Sequence, residues 1–153
     1  IVSVTGQLDE VFDLRDKNNL KDFLKLIKGF SIDDNIKRQA KELKITPAPT
    51  LATSVAELVK SILDPDWRRP AVDDIPANCQ IYGQMVKQAG IQGIIYPSQF
   101  TKKDCIAIFP KNFDQSNSWI QLDDEPPHDK VPKRLDSSNW RLSDLTSKEV
   151  IGH

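Results

Sequence analysis

Two short apolar runs constrain this chain more than any other feature: Gly90-Ile91-Gln92-Gly93-Ile94-Ile95-Tyr96-Pro97-Ser98 and Cys105-Ile106-Ala107-Ile108-Phe109-Pro110. Both are rich in β-branched residues and punctuated by Gly or Pro, which predicts two neighbouring core strands. Gly90 closes the helical pattern before the first run, in the manner of a left-handed cap. Pro97 has no N–H for a ladder, so the first strand should end there. Ser98 then falls at the carboxyl end of a buried strand, where sheets of this kind tend to hold reacting groups. Turn chemistry also favours Ser, so a plain loop-starting role stands beside the functional one.

A length of 153 residues suffices for one domain with its own core. The net charge of −1 and pI near 6.1 provide no global basic field toward nucleic acid or membrane. No apolar run approaches the roughly 20 residues of a membrane span, and no signal-peptide pattern is seen, so the expected compartment is the cytoplasm. Cys79 and Cys105 sit in apolar company and read as buried free thiols. No C-x-x-C pattern is present, and the histidines are His128 and His153, so no metal site is expected. The chain begins at Ile1, already in strand alternation through Val2 and Val4. Such a start is expected of a piece whose upstream part is missing, or of a processed end.

In chain order, Ile1–Leu8 and Val11–Leu14 read as strand pieces joined around Gln7–Glu10. Leu20, Phe23, Leu24 and Ile27 recur at helical spacing until Gly29. Ser31 with Asp34 resembles a capping box before Ile36, Ala40 and Leu43. Between Lys17 and Lys44, eight Lys/Arg face four Asp/Glu, a local excess of +4 that suits a solvated helix face or a phosphate-facing patch. Thr46–Thr50, with Pro47 and Pro49, is a linker. Ser54 and Glu57 form a second capping box, and Val55, Leu58, Val59 and Ile62 make an amphipathic stripe ended by Asp64-Pro65-Asp66. Trp67-Arg68-Arg69-Pro70 is a loop whose Arg pair either holds a phosphate or stacks on Trp67 and caps a helix. The next helix should start near Asp74–Asn78, with Pro76 in its first turn and Ile81, Met85 and Ala89 on one face, flanked by Tyr82 and Val86. Trp119–Leu122 suits one further strand. Residues 114–129 carry five acidic side chains and no Lys or Arg, which suits a solvated loop. Trp140 and Leu142 are expected to anchor the tail.

No G-x-S-x-G elbow, phosphate-loop glycine pattern or H-E-x-x-H is present. Ser98 has no evident His base, which argues against a hydrolase triad. Residue pattern alone therefore reaches a soluble α/β mixed (α+β) domain.

Three segments go further: Asn78–Gln84, Ala89–Ser98 and Cys105–Pro110, in that order and spacing, resemble the carboxyl-terminal half of a RES domain. The Val2–Val4 strand and Val11-Phe12-Asp13-Leu14-Arg15-Asp16 resemble that family's central strand and Leu-Asp-Leu turn, so the likeness spans about residues 1–113, with 114–153 an irregular extension packing on the domain. The resemblance implies a single domain with a central mixed sheet flanked by helices, similar to ADP-ribosyltransferases, here without its first strands. It implies a bacterial toxin that degrades NAD⁺ at the nicotinamide–ribose bond, with water or phosphate as acceptor and NAD⁺ as substrate rather than cofactor. It also implies a cognate DNA-binding antitoxin and a homo-oligomer, with no direct nucleic-acid or membrane partner. Ser98 matches the family's Ser, and Tyr96 beside it is a candidate substrate contact. The family's Arg and Glu lie upstream of the strand with which this chain begins, so neither role passes to Arg15, Arg38 or Glu57. One of three functional side chains is thus matched, and residues 1–153 alone are expected to be inactive. The alternative is a catalytically incomplete module serving dimerisation or antitoxin binding.

Overall fold

The computed structural model describes residues 3–46, 48–64, 70, 73, 75–98 and 103–144. Its strands are β1 (Val4–Gln7), β2 (Val11–Asp13), β3 (Gly93–Pro97), β4 (Asp104–Ile108), β5 (Trp119–Leu122) and β6 (Arg134–Leu135). Its α-helices are α1 (Lys17–Ile27), α2 (Asp34–Glu42), α3 (Val55–Ile62) and α4 (Asn78–Gln88). Short 3₁₀ turns cover Pro110–Phe113 and Trp140–Asp144. The chain is therefore a mixed α+β domain, with two three-stranded sheets among the described residues. Ile1, Val2, Pro65–Arg69 and Asp74 lie outside the described residues, and with them the Trp67-Arg68-Arg69 motif.

The two runs that dominate the sequence form the middle and one edge of the sheet β2-β3-β4. β3 and β4 pair antiparallel from Gly93↔Ile108 to Pro97↔Asp104, and β2 lies parallel to β3 from Val11↔Gly93 to Asp13↔Ile95. A parallel neighbour requires a long crossover, and α1 to α4 supply it. The early strand pieces are shorter than their apolar pattern and do not share a sheet. β1 leaves to pair with β5, which pairs in turn with β6. Gly6 permits that pairing, since a Cβ there would stand 2.6 Å from the Trp119 carbonyl oxygen.

Side-chain amides fasten the segment before β2 and the Pro110–Phe113 turn to the start of β3. The Glu10 N–H donates to Gln92 Oε1 (2.6 Å), and Gln92 Nε2 donates to the Asn112 carbonyl (3.2 Å). Asn112 Nδ2 in turn donates to the carbonyls of Lys87 and Ile91, both at 2.7 Å. Asp9 donates its N–H to the buried Ser118 hydroxyl (3.0 Å). The acidic segment is thus partly structural: β5 lies within it, and Asp123 accepts hydrogen bonds from the Ser3 and Thr5 hydroxyls of the β1 region.

α1, α3 and α4 pack on one face of β2-β3-β4 through Leu20, Phe23, Ile27, Leu58, Tyr82, Val86 and Ile94. Phe23 bridges the layers, its ring 5.1 Å from Phe12 and 6.1 Å from Tyr82. Ser54 caps α3, its hydroxyl accepting from the Glu57 N–H, as the capping-box reading requires. The corresponding reading of α2 is corrected: Asp33, not Ser31, is the cap. Leu43 is 51% exposed because α2 ends in a turn with Lys44 at φ 54°, which folds Ile45 back onto Ala40. α4 is rotated from its apolar stripe, burying Tyr82 and Val86 and leaving Ala89 exposed. The Tyr82 hydroxyl explains the rotation, since it accepts from the Ala52 N–H at 2.7 Å and pays its burial with that bond. Gly90, at φ 87°, ends α4 in the left-handed conformation its position predicts. In the tail, Trp140 is buried while Leu142 stays about half exposed, so Trp140 is the anchor.

Candidate functional site

Alternation along three strands builds the site. Ile94 and Tyr96 of β3 and the following Ser98 turn toward the helices, as do Phe12 and Leu14 from the first strand and Cys105, Ala107 and Phe109 from the last. The facing wall includes Phe23 of α1, Ile62 at the end of α3, and Cys79, Gly83 and Val86 of α4, spaced to lie on one helical stripe. Between the two walls lies a cavity of about 450 Å³, within the size range of small-molecule sites.

Ser98 stands half-buried at the carboxyl end of β3 and lines this cavity. Its N–H donates to the Lys103 carbonyl (2.9 Å), carrying the β3–β4 pairing one residue past Pro97. Tyr96, paired with Cys105 across the sheet, lines the same space. The structure therefore brings both sequence-named residues to one cavity.

The remaining lining is chiefly apolar, with Asp64 the only charged group among the described lining residues. Burial pushes the Cys79 thiol up, and the charge of Asp64 adds to that shift. Burial also pushes the Tyr96 phenol up, with Cys105 contributing. Both therefore favour their neutral forms near neutral pH, so Cys79 is not an activated thiolate. Cys79 and Cys105 are free thiols.

Arg15, Arg38 and Glu57 all lie outside this cavity and have other partners. Arg15 pairs with Asp13 (2.6 Å) and Asp104 on the opposite face of the sheet. Arg38 donates to Asn35 (3.0 Å) on α2. Glu57 accepts from the Thr53 N–H and hydroxyl at the start of α3, and these bonds hold its carboxyl below the usual range. Among the described residues no group of three or more His, Cys, Asp or Glu is arranged to hold a metal ion, and no helix is long and apolar enough to cross a membrane.

Sequence reasoning missed Asp64 and the two cysteines as lining groups. The 79, 83, 86 spacing on α4 and the alternation 105, 107, 109 on β4 carried the signal for the cysteines. Asp64 had none, since an acidic residue after a helix reads as a terminator. The RES domain family model matches residues 20–130. No curated protein and no solved structure matches the chain.

Proposed function

This chain belongs to the RES domain family, and from that premise we propose that it is a RES-type toxin module that acts on NAD⁺ at the nicotinamide–ribose bond and is neutralised by a cognate DNA-binding antitoxin in the bacterial cytoplasm. The observation that supports this reading is Ser98 at the carboxyl end of β3, lining a cavity of small-molecule size. A hydroxyl there can position a ribose hydroxyl or a phosphate by hydrogen bonding. Cleavage breaks the bond between the ribose and the pyridinium nitrogen, whose electron pair leaves with neutral nicotinamide. Water or phosphate then bonds to the ribose carbon, giving ADP-ribose or its phosphate ester, and water loses a proton. Such a reaction requires stabilisation of a cationic ribosyl centre and anchoring of the pyrophosphate, tasks suited to a carboxylate and an Arg. The described lining contains neither Glu nor Arg.

Calorimetric binding of NAD⁺ to this chain, with nicotinamide release by the protein as its host makes it, tests the reading. Saturable binding is expected, weakened about three- to tenfold in Ser98→Ala, the loss of one hydrogen bond. Release in phosphate-free and phosphate buffer identifies the acceptor by its product. Absence of both binding and release overturns the proposal.

The second reading, a module for dimerisation or antitoxin binding, is favoured by one observation. Val11 and Ile106, on the sheet face away from the cavity, are 40% and 45% exposed. Lys at both positions should then abolish association, measured by light scattering, and leave NAD⁺ binding intact.

A further inference from the structure

Gly83 sits in the middle of α4, half-buried, and lines the cavity. A glycine inside a helix weakens it relative to alanine, because its backbone loses more freedom on folding. Three structural needs commonly offset that loss, and none applies here. The backbone at Gly83 is ordinary right-handed helix, unlike that of Gly90 with its positive φ. The residue does not end the helix, which runs on to Gln88. Nor does another segment crowd it: a Cβ there would meet no heavy atom of the described residues within 4 Å. The contrast with the strand glycines is direct. A Cβ at Gly93 would stand 3.0 Å from Leu8 Cδ1, and one at Gly6 would be closer still to the Trp119 carbonyl oxygen. The fold therefore explains Gly6, Gly90 and Gly93, but the space over Gly83 is left open against the preference of its own helix.

We propose that Gly83 is a specificity-determining residue, whose missing side chain makes room for a planar ring of the ligand against the bare backbone of α4. Cys79 and Val86, one turn away on either side, line the same cavity and would border that ring. Phe12, Phe23, Tyr96 and Phe109 supply aromatic lining around it, which suits a flat, polarisable group. Such a ring packs at about 3.5–4 Å from the atoms on its face, so a methyl group at residue 83 would intrude on the contact. The inference rests on the NAD⁺ reading for its ligand: the ring is one of the two heteroaromatic rings of the dinucleotide.

Urea unfolding and calorimetric titration with NAD⁺ test this on the full chain carrying Gly83→Ala or Gly83→Leu. Gly83→Ala should raise the folding equilibrium constant about two- to fivefold, because the helix gains and nothing clashes. The same variant should bind NAD⁺ about tenfold more weakly. Gly83→Leu, also a good helix former, should fold at least as firmly as the parent and lose NAD⁺ binding by about 100-fold or more. Lower stability in Gly83→Ala would mean that packing requires the glycine, and would overturn the proposal. Undiminished binding in either variant would overturn it as well. Equal losses in both would do the same, by pointing to helix stiffness rather than space. The Gly83→Ala measurements decide the matter even if Gly83→Leu misfolds. Adenosine and nicotinamide, titrated as separate rings, distinguish this inference from the proposed function. If the parent binds either ring more tightly than the variants do, yet neither binds nor cleaves NAD⁺, the inference stands and the proposed function falls. NAD⁺ binding equal in all three proteins does the reverse. Binding of none of the three compounds to the parent overturns both.

Discussion

The two faces of the sheet β2-β3-β4 are made of alternate residues of the same strands, yet they differ in charge and cover. On the helix side, Phe12, Ile94, Tyr96, Cys105 and Ala107 meet α1 and α4 around the cavity. On the other side, Asp13, Arg15 and Asp104 form an exposed ion cluster, beside Val11 and Ile106, which remain accessible. The same period of two that buries one set of side chains therefore sends this Arg away from the cavity. Arg15 follows an Asp-Leu pair next to the Ser98-bearing strand, and proximity along the chain would nominate it for phosphate binding. One residue of offset decides otherwise, since Leu14 takes the cavity side.

Truncations on the two faces should separate them most sharply. Phe23→Ala removes a buried ring that touches both Phe12 and Tyr82, and should cost about 3–5 kcal/mol of stability. Ile106→Ala, at a site that is 45% exposed, should cost no more than about 1 kcal/mol. Urea unfolding measures both, and equal costs would show that the back face is covered by something else in solution. Next in size is the hydrogen-bond network around Gln92. Gln92→Leu keeps the volume but leaves the Glu10 N–H and the Asn112 carbonyl without this partner. The expected cost is about 1–3 kcal/mol in the same unfolding measurement, and a neutral result would show that those groups find other partners.

Local features were readable from the sequence because their causes are local. The Ser54 cap, the α1 stripe of Leu20, Phe23 and Ile27, the left-handed Gly90 and the end of β3 at Pro97 each follow from neighbouring residues. The division of β1 and β2 between two sheets was not readable, since it depends on partners far along the chain. Asp9 and Ser118, which meet at this division, are 109 residues apart. The rotation of α4 was hidden for a related reason: its apolar stripe is broad, and the Ala52 N–H received by Tyr82 chooses among the possible faces. At the site, strand alternation was enough to put Tyr96 and Ser98 together. Asp64 joins them only because the end of α3 packs over that sheet, a tertiary fact with no signature in its own neighbours.

The smallest expected effect is also the cleanest separation of the two faces. The Arg15 guanidinium holds the Asp13 carboxyl below its usual range, against a smaller opposing contribution from burial. A carboxyl whose folded pKa lies below its unfolded value, about 3.9, binds protons more tightly when the chain is unfolded. Its stabilisation is therefore complete above about pH 4 and is lost as pH falls through the folded value. Arg15→Met should make the fall of the urea midpoint below about pH 4 shallower without abolishing it. The residual slope comes from Asp123, Asp136 and Glu57, whose carboxyls are lowered by hydrogen bonds from Ser3, Ser138 and Thr53 rather than by Arg15. At neutral pH the same variant should bind NAD⁺ as the parent does, because Arg15 belongs to the other face. An unchanged acid slope would remove the ion cluster as the cause of the Asp13 shift. Weakened NAD⁺ binding would mean that Arg15 reaches the ligand, and the separation of the two faces would fail at the residue on which it is drawn most sharply.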